Sequence, residues 1–423
     1  MKGVEALAAA IIAGTDRQYT VPGFPVTDLG ALTRAGLVIN EKTALEYALG
    51  DSLAGRRAAV IVKNVGVNAC ADPLLQATVQ GIRGGVLLVV GDDPGAKGSQ
   101  TAQDSRYYGE MAEIPVIEPD ETSCFTGVEA ALTASETFSR VAMLRLIPQL
   151  LDAEVVGEPV SRNNGQGKLA DPALTMHGRV TAATGVYRTV FAWSDTSSLN
   201  RWKGGTLGVG PAPGDSRVAT VNPVPSRAGS FTEIHEFGRS FVRDHRAVTP
   251  PGLQGQPESR KNRGFSRTFC AACPYRPLLD LLKERKMQLI CDAGCSVFAL
   301  NPPYELGIAS YGMGASIAVA ARSTHVALIG DYALLHSGIN ALIDVYEKGL
   351  PLLCIVMKNH CAAMTGGQRV SDPLPYLRWA DPIVCPARDE QVLREVIRDP
   401  EGPCTVIVEA ECPKGAYHET VEC

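Results

Sequence analysis

Two apolar runs joined by one helical pattern constrain the fold of this chain most strongly. Residues 324–329 and 350–357 each have the length of a buried strand, and residues 337–348 between them have helical spacing. Two such strands joined by one helix form a parallel βαβ unit, because parallel neighbours need a crossover connection. The sequence therefore predicts a parallel α/β sheet in this region.

Each run ends at a residue whose side chain carries an oxygen. Asp331 follows the first run, and Asn359 follows the second. A right-handed crossover brings both strand ends to one edge of the sheet, where ligands of open α/β sheets bind. Together with a backbone carbonyl, these oxygens suit Mg²⁺ beside a phosphate. On spacing alone, the commoner roles are that Asp331 starts a loop and that Asn359 caps a turn.

Bulk composition excludes several classes of protein. With 423 residues the chain has room for about two to three domains. Its 40 Lys and Arg against 45 Asp and Glu predict no nucleic-acid surface. No apolar run approaches the length of a membrane span, and residues 6–13, preceded by Glu5, fit a first helix better than a signal peptide. Twelve cysteines then favour a reducing, cytoplasmic setting with metal or redox roles.

Patterning divides the chain into three regions. Residues 1–150 alternate helical patterns (42–54 and 72–83) with apolar strands (58–62 and 85–90), as parallel α/β domains do. Residues 266–423 repeat that alternation. The middle region, 151–265, is rich in turn residues, contains one predicted strand pair around residues 179–193, and has no assigned role. Its last part, 255–267, is polar and basic and fits a solvated linker.

Three collinear blocks of short motifs carry a family resemblance. In chain order the motifs are Asn40-Glu41-Lys42-Thr43, Lys63-Asn64-Val65-Gly66, Asp92-Asp93-Pro94-Gly95, Gln103-Asp104-Ser105-Arg106, Cys270-Ala271-Ala272-Cys273, Gly294-Cys295, Gly312-Met313-Gly314, Gly330-Asp331 and Asn359-His360-Cys361. They resemble the thiamine-diphosphate-dependent 2-oxoacid:ferredoxin oxidoreductases, most closely the large subunit of indolepyruvate:ferredoxin oxidoreductase. The match covers about residues 1–125 and 265–412.

This resemblance implies two thiamine-diphosphate-type parallel-sheet domains, joined by the irregular middle region. Residues 1–150 would bind the aminopyrimidine ring, and residues 266–423 the diphosphate and Mg²⁺. By position in the motif, Glu41 is the acid that would activate the cofactor through the pyrimidine. Its plainer role is that of a first-turn acid behind an Asn40 helix cap, and both roles are compatible. Glu46 is the alternative acid, deeper in the helix.

The resemblance also supplies candidate cofactor contacts. The residues carried over are Gly330, Asp331, His336, Gly312, Gly314, Asn359, Met364 and Thr365. Magnesium would be held by Asp331, Asn359 and the backbone carbonyl of Cys361. Close helix packing explains a Gly-x-Gly turn equally well, and His336 fits a helix cap as well as a diphosphate contact.

Cysteines bear on the type of reaction. Cys270, Cys273 and Cys295 match the first three thiolates of a [4Fe-4S] cluster in relatives. Cys412 is the first choice for the fourth, ahead of Cys385 and Cys361. A four-thiolate zinc site would use the same ligands. Three further cysteines in apolar strands, Cys291, Cys354 and Cys404, fit simple core residues.

Several positions depart from the family pattern. Asn64 replaces a histidine, Tyr332 replaces a small residue, and Cys361 replaces a threonine near the metal loop. The lost histidine removes a group that titrates near neutral pH. The C-terminal ferredoxin-like module of typical large subunits, with its repeated Cys-x-x-Cys, is absent from the sequence. We therefore expect electrons to leave by another route.

The predicted function is oxidative decarboxylation of a 2-oxoacid, aryl and indolepyruvate-like or otherwise, with electrons passed to an iron–sulfur partner and an acyl-CoA formed. The expected partners are a smaller beta-type subunit and ferredoxin or another iron–sulfur acceptor, in a hetero- or homo-oligomer. One alternative is non-oxidative decarboxylation of the sulfopyruvate or phosphonopyruvate type. The other is a non-catalytic homologous subunit, which would need neither Glu41 nor the Asp331 and Asn359 pair.

Overall fold

The structure is a computed structural model that describes residues 1–101, 103–199, 201–202, 217–221 and 255–412. The chain divides into two compact units, Met1–Glu258 and Ser259–Cys423. Each unit is built around its own sheet, and the parallel α/β architecture predicted from the sequence is confirmed in both.

The first unit contains an eight-stranded sheet in the order β2-β1-β3-β4-β6-β5-β8-β7. Its first six strands in this order run parallel, β8 pairs antiparallel with β5, and β7 pairs antiparallel with β8. The strands are β1 (Arg17–Thr20), β2 (Gly36–Leu37), β3 (Ala58–Lys63), β4 (Val86–Gly91), β5 (Val116–Glu118), β6 (Ala142–Leu146), β7 (Arg201–Trp202) and β8 (Arg217–Val221).

Helices cover the sheet of the first unit. The central strands β3 and β4 are apolar along their length, which is typical of parallel strands buried on both faces. The helices are α1 (Gly3–Gly14), α2 (Thr27–Leu32), α3 (Glu41–Leu53), α4 (Val67–Gln80), α5 (Arg106–Met111), α6 (Cys124–Phe138), α7 (Pro148–Asp152) and α8 (Met176–Thr196). The predicted first helix is confirmed as α1, with Ala6, Leu7 and Ile11 in the core.

The strand pair expected around residues 179–193 is wrong, because this segment lies inside the 21-residue helix α8. Thr175 caps its start by accepting a hydrogen bond from the Gly178 amide at 3.1 Å. Tyr187 and Val190 are buried against Phe138 of α6, three residues apart on one helix face. Packing of one helical face against α6 decides the outcome.

The second unit contains a six-stranded, wholly parallel sheet in the order β10-β9-β11-β12-β16-β15. A separate two-stranded hairpin, β13 with β14, follows β12. The strands are β9 (Leu289–Cys291), β10 (Gly307–Ala309), β11 (Val326–Gly330), β12 (Leu352–Lys358), β13 (Cys361–Ala362), β14 (Gln368–Arg369), β15 (Ile383–Pro386) and β16 (Pro403–Glu409).

The helices of the second unit include the predicted crossover between β11 and β12. They are α9 (Arg260–Arg263), α10 (Arg276–Glu284), α11 (Ser316–Ala321), α12 (Asp331–Ala333), α13 (Ile339–Glu347) and α14 (Glu390–Val396). The crossover begins at Asp331, six residues before the predicted start, and a π-helical turn, Leu334–Gly338, joins α12 to α13. Such wider turns recur at functional sites.

Among the helices that the described residues form, none has the length and apolarity that crossing a bilayer requires.

Candidate active site

Asp331 stands where β11 ends and the crossover begins. Its side chain is 2% exposed. One carboxylate oxygen accepts the Tyr332 amide at 2.8 Å, and the other accepts the His360 amide at 2.9 Å. Burial raises the pKa of Asp331, while these backbone donors act in the opposite direction. The carboxylate therefore joins the ends of β11 and β12, which are neighbours in the sheet.

The turn after β12 contains the second candidate ligand. The side-chain oxygen of Asn359 accepts the Cys361 amide at 3.3 Å, so Asn359 does cap a turn. His360 between them has a positive φ of 61°. That conformation is uncommon outside glycine and marks a backbone held by its surroundings, here by the hydrogen bond to Asp331. Asp331 and the turn 359–361 thus form one local structure.

Space beside Asp331 is left open by Gly330. A Cβ atom built on Gly330 would meet no atom within 4 Å. Its φ of −84° is one that any residue adopts, so neither backbone conformation nor packing explains a glycine there. An open position next to a buried carboxylate is what a diphosphate and its Mg²⁺ need, and these residues therefore fit the group.

Asp292 is a site residue that the sequence reasoning missed. It follows β9 directly and is fully buried. Its carboxylate accepts the amides of Ala293 at 2.9 Å, Gly314 at 2.8 Å and Ser316 at 3.1 Å. The signal was available, because Asp292 follows an apolar run near a glycine, as Asp331 does. Asp292 anchors the turn that leads into α11.

The Gly312–Ser316 turn packs closely against the crossover. A Cβ on Gly314 would lie 2.4 Å from the Ser337 hydroxyl and 2.5 Å from the Gly338 amide nitrogen. Ser337 in turn donates a hydrogen bond to the Met313 carbonyl at 2.6 Å. With φ at 81°, Gly314 is required by both space and conformation. Close packing therefore accounts for Gly314. The amides of Gly314 and Ser316 in this turn donate to Asp292.

Other carried-over residues lie on the surface near this edge. His336 is exposed within the π-helical turn, and its Nδ1 lies 3.1 Å from the Ser337 hydroxyl. Its ring centroid lies 6.0 Å from that of Tyr332. Met364 and Thr365 form an exposed 3₁₀ turn in the hairpin after Asn359. The Thr365 hydroxyl donates to the Ala362 carbonyl at 3.3 Å.

An ionic cluster adjoins the turn after β12. Lys358, 4% exposed, lies 3.0 Å from both Glu409 and Asp372. His360 Nε2 lies 3.0 Å from the same Glu409 oxygen. Burial lowers the pKa of Lys358, but the hydrogen bonds to Glu409 and Asp372 outweigh burial and raise it. These pairs hold the end of β12 against the end of β16.

The structure brings five cysteines to the same part of the second unit. Burial first, and then the charges of Cys273, Cys270, Cys412 and Cys361, raise the pKa of Cys295 to about 12. Burial and a hydrogen bond with Cys412 raise the pKa of Cys361 to about 11. Such mutual effects require the thiols to lie near one another.

The loop that carries Cys270 and Cys273 is held by Arg276. The Arg276 guanidinium donates to the carbonyls of Cys270 and Phe269, both at 3.0 Å. The Cys273 amide donates to the Cys270 carbonyl at 3.1 Å, which makes a tight turn between the two thiols. Burial and the charge of Asp389 raise the pKa of Cys385, and none of these five cysteines contributes to that shift.

In the described residues, no three His, Cys, Asp or Glu side chains converge on a point as ligands of one metal ion do. A tetrahedral zinc site needs sulfurs about 4 Å apart, since each Zn–S bond is about 2.3 Å. A four-iron cluster is larger and holds its thiolates further apart. The five cysteines therefore share one region of the second unit, but the described residues form no such ligand set.

Glu41 of the first unit begins α3. Asn40 caps this helix by accepting the Thr43 amide at 2.8 Å, as the sequence predicted. The Glu41 side chain lies against Gly66, where a Cβ would approach its carboxylate oxygen to 2.6 Å. Glu46, the alternative acid, is 1% exposed and lies 2.5 Å from the Lys42 ammonium group. Glu46 is therefore occupied by an ion pair.

Asn64, directly after β3, has a structural role. Its amide group donates to the Thr101 carbonyl at 3.2 Å, and Gln103 donates back to the Asn64 carbonyl at 2.8 Å. The buried amide thereby ties the end of β3 to the loop before α5. A neutral side chain performs this role without a titrating group.

The Asp92 and Asp104 motifs meet in a buried ionic network. Arg145 contacts Asp92 at 2.6 Å and also pairs with Glu118, while Arg106 pairs with Asp104 at 2.8 Å. All five side chains are at most 3% exposed. The network fixes both ends of the loop between β4 and α5.

Two parallel α/β units, each built around its own sheet, are the architecture of a thiamine-diphosphate-type enzyme fold. A family model described as "Thiamine pyrophosphate enzyme, C-terminal TPP binding domain" matches residues 292–379. A solved structure described as "a putative thiamin diphosphate-dependent enzyme isolated from Mycobacterium smegmatis" shares the fold, with a TM-score of 0.56 at 13% identity over 97% of this chain and 99% of that chain.

Curated relatives give the family. Indolepyruvate oxidoreductase subunit IorA of Thermococcus kodakarensis is 35% identical over 82% of this chain and 72% of its own length. IorA of Methanothermobacter thermautotrophicus is 25% identical over 85% of this chain and 74% of its own length. The chain therefore belongs to the IorA family, as its motifs indicated. It is an oxidoreductase subunit with a thiamine-diphosphate-binding C-terminal domain.

Proposed function

We propose that this chain is the thiamine-diphosphate-binding subunit of an enzyme that oxidatively decarboxylates an aryl 2-oxoacid of the indolepyruvate type. Coenzyme A would accept the acyl group, and an iron–sulfur partner would accept two electrons. The observation that carries the proposal is the buried Asp331, joined to the 359–361 turn beside the open position at Gly330.

Magnesium and diphosphate would be held at this edge of the second unit. Asp331 and the Asn359 side chain supply hard oxygen ligands, and the Cys361 carbonyl supplies a third. The burial of Asp331 would strengthen the interaction between its charge and the ion. His336, Met364 and Thr365 are further candidate contacts, at the exposed rim of the same region.

Glu41 would act on the aminopyrimidine ring. When bound, thiamine diphosphate supplies a nucleophilic carbon and an electron sink for decarboxylation. The chain supplies an acid that holds a proton at the ring nitrogen, and Glu41 is rigidly placed for this by the capped start of α3 and by contact with Gly66. Glu46 is disfavoured because Lys42 neutralises it.

Cys270, Cys273, Cys295 and Cys412 would ligate one [4Fe-4S] cluster. The proposal is supported by the effect of Cys270, Cys273 and Cys412 on the pKa of Cys295, and by the position of Cys412 after β16, at the same sheet edge as Asp331. Cluster thiolates beside the diphosphate residues would give electrons a short path out of the active site. The relatives are named as subunits, so we expect a second chain in the assembly.

The test is an activity and composition measurement on anaerobically purified protein, with and without its partner subunit. We expect iron with stoichiometric sulfide, and reduction of an artificial electron acceptor that requires indolepyruvate, thiamine diphosphate and coenzyme A together. Release of carbon dioxide without acceptor reduction would indicate a non-oxidative decarboxylase instead. Failure to bind thiamine diphosphate would identify a non-catalytic subunit.

A further inference from the structure

Lys63 is a cation with a neutral partner at the carboxyl edge of the first sheet. It ends β3, in register with Gly91 at the end of β4. Its ammonium group donates a hydrogen bond to the Gln100 side-chain oxygen at 2.9 Å. In the part of the chain that the structure describes, no carboxylate forms an ion pair with it. Its charge can therefore serve an anionic ligand, and ligands of open α/β sheets bind at this edge.

A glycine gives the Lys63 side chain its path. A Cβ atom built on Gly23 would lie 2.6 Å from Cδ of Lys63 and 2.9 Å from Cγ. Any larger residue at position 23 would push the stem of the lysine aside. The side chain therefore crosses Gly23 and reaches Gln100, and both ends of its path are defined.

An exposed aromatic ring lies on the same two loops. Phe24 is 40% exposed, and a Cβ on Gly98 would lie 2.7 Å from Cγ of its ring. The Gly98 amide donates to the Asp93 carboxylate at 2.7 Å, which fixes this loop against the ring. Gly98 comes two residues before Gln100, so the loop that supports the Phe24 ring also holds the Lys63 ammonium group.

These two side chains adjoin the candidate catalytic acid. Lys63 directly precedes the 3₁₀ turn Asn64–Gly66, and Gly66 is the residue that the Glu41 carboxylate contacts. Lys63 and Glu41 thus flank one short turn at the same sheet edge. A ligand bound by Lys63 would lie beside the residue that acts on the aminopyrimidine ring.

We propose that Lys63 binds the carboxylate of the 2-oxoacid substrate and that Phe24 packs against its aryl group. The inference rests on the proposed function and assigns residues to its substrate. A charge-assisted hydrogen bond suits a carboxylate, and an aromatic ring offers offset or edge contacts to another ring. The carboxylate leaves as carbon dioxide, so its charge is lost during the reaction. Lys63 therefore contributes to substrate binding more than to bond breaking.

The test measures the binding of unreactive probes to the whole chain, loaded with thiamine diphosphate and Mg²⁺. Indole-3-propionate has the carboxylate and the aryl group of indolepyruvate but no keto group that could react, and its amide has no charge. Both probes are titrated calorimetrically into wild type, Lys63→Met and Phe24→Leu. Lys97→Met removes an exposed lysine one residue before Gly98 and is the matched control.

We expect wild type to prefer the carboxylate to the amide by about tenfold, as a hydrogen bond to a charged group allows. Lys63→Met should lose this preference and still bind the amide, whereas Lys97→Met should match wild type. Phe24→Leu should weaken both probes alike, by about threefold to tenfold. The inference is overturned if Lys63→Met keeps the preference or also loses the amide, if Phe24→Leu binds as wild type does, or if wild type binds neither probe.

Turnover gives a second readout. Lys63→Met should raise KM for indolepyruvate with little change in kcat, and Lys63→Arg should restore KM because it keeps the charge. A lower kcat at unchanged KM would contradict a role in substrate binding. Wild-type protein that turns over no 2-oxoacid would instead overturn the proposed function, and this inference with it.

Discussion

A carboxylate oxygen of Asp331 accepts the backbone amide of His360 at 2.9 Å. This bond joins the residue after β11 to the turn after β12, although the two lie 29 positions apart in sequence. It also accounts for the left-handed conformation of His360, which turns the chain so that the neighbouring Asn359 and Cys361 meet through their own hydrogen bond. Changes at Asp331 should therefore affect ligand binding and turn geometry together.

Glu41→Gln should abolish turnover without loss of cofactor binding. Glutamine keeps the shape of the side chain and its contact with Gly66, but it cannot hold a transferable proton. Loss of acid–base catalysis typically lowers rates by about 100- to 10,000-fold. Thiamine diphosphate titration and a turnover assay on the same preparation check both statements, and normal turnover would remove Glu41 from the mechanism.

Gly66→Ala should reduce turnover by displacing the Glu41 carboxylate. The new Cβ would lie 2.6 Å from a carboxylate oxygen, so the acid must move. The backbone of Gly66 is right-handed helical, and alanine adds no conformational strain. Displacement of a catalytic group by about 1 Å can cost about 100-fold in rate.

The control for that substitution is Gly36→Ala in the same unit. A Cβ there meets its nearest neighbour at 3.7 Å, an ordinary contact. Equal turnover of the two variants would show that the position of Glu41 is not critical. Cofactor affinity should stay near wild type in both.

Arg145→Met should destabilise the first unit strongly. It removes the partner of two buried carboxylates, Asp92 and Glu118. Breaking a buried ion pair from one side typically costs about 3–5 kcal/mol. Arg162→Met, which breaks the half-exposed pair with Asp16, should cost less than about 1 kcal/mol. Urea unfolding of both variants measures the difference, and equal midpoints would contradict the buried network.

Asp292→Ala should destabilise the second unit, because three backbone amides lose their acceptor. Hydrogen bonds to a charged group contribute about 1.5–3 kcal/mol each, so we expect a loss of about 3 kcal/mol or more. Asp389→Ala removes a single helix-cap acceptor, which Val392 uses at 3.1 Å, and should cost about 1 kcal/mol. Similar unfolding curves for the two variants would show that Asp292 is not an anchor.

Local signals in the sequence predicted much of this structure. Asn40 before Glu41 marked the start of α3, and the apolar runs on either side of the crossover became β11 and β12. These features depend on neighbours within a few residues, so a sequence pattern records them directly. The parallel arrangement then followed from the single-helix connection.

Features that depend on distant contacts were missed. Helix α8 was taken for strands, because its burial against Phe138 is not encoded in its own β-branched pattern. The role of Asp292 requires knowing that the Gly314 turn lies beside β9. Sheet order and register come from tertiary packing, which one sequence does not reveal.

The most direct test of the central claim is a calorimetric titration of thiamine diphosphate, with and without Mg²⁺, into wild-type protein and Asp331→Asn. We expect magnesium-dependent binding in wild type and its loss in the variant, since asparagine is uncharged. Burial raises the pKa of Asp331, so wild-type affinity should fall with decreasing pH sooner than for an ordinary aspartate, because protonation removes the metal ligand. Equal magnesium-dependent affinity in both proteins would contradict the assignment of this site.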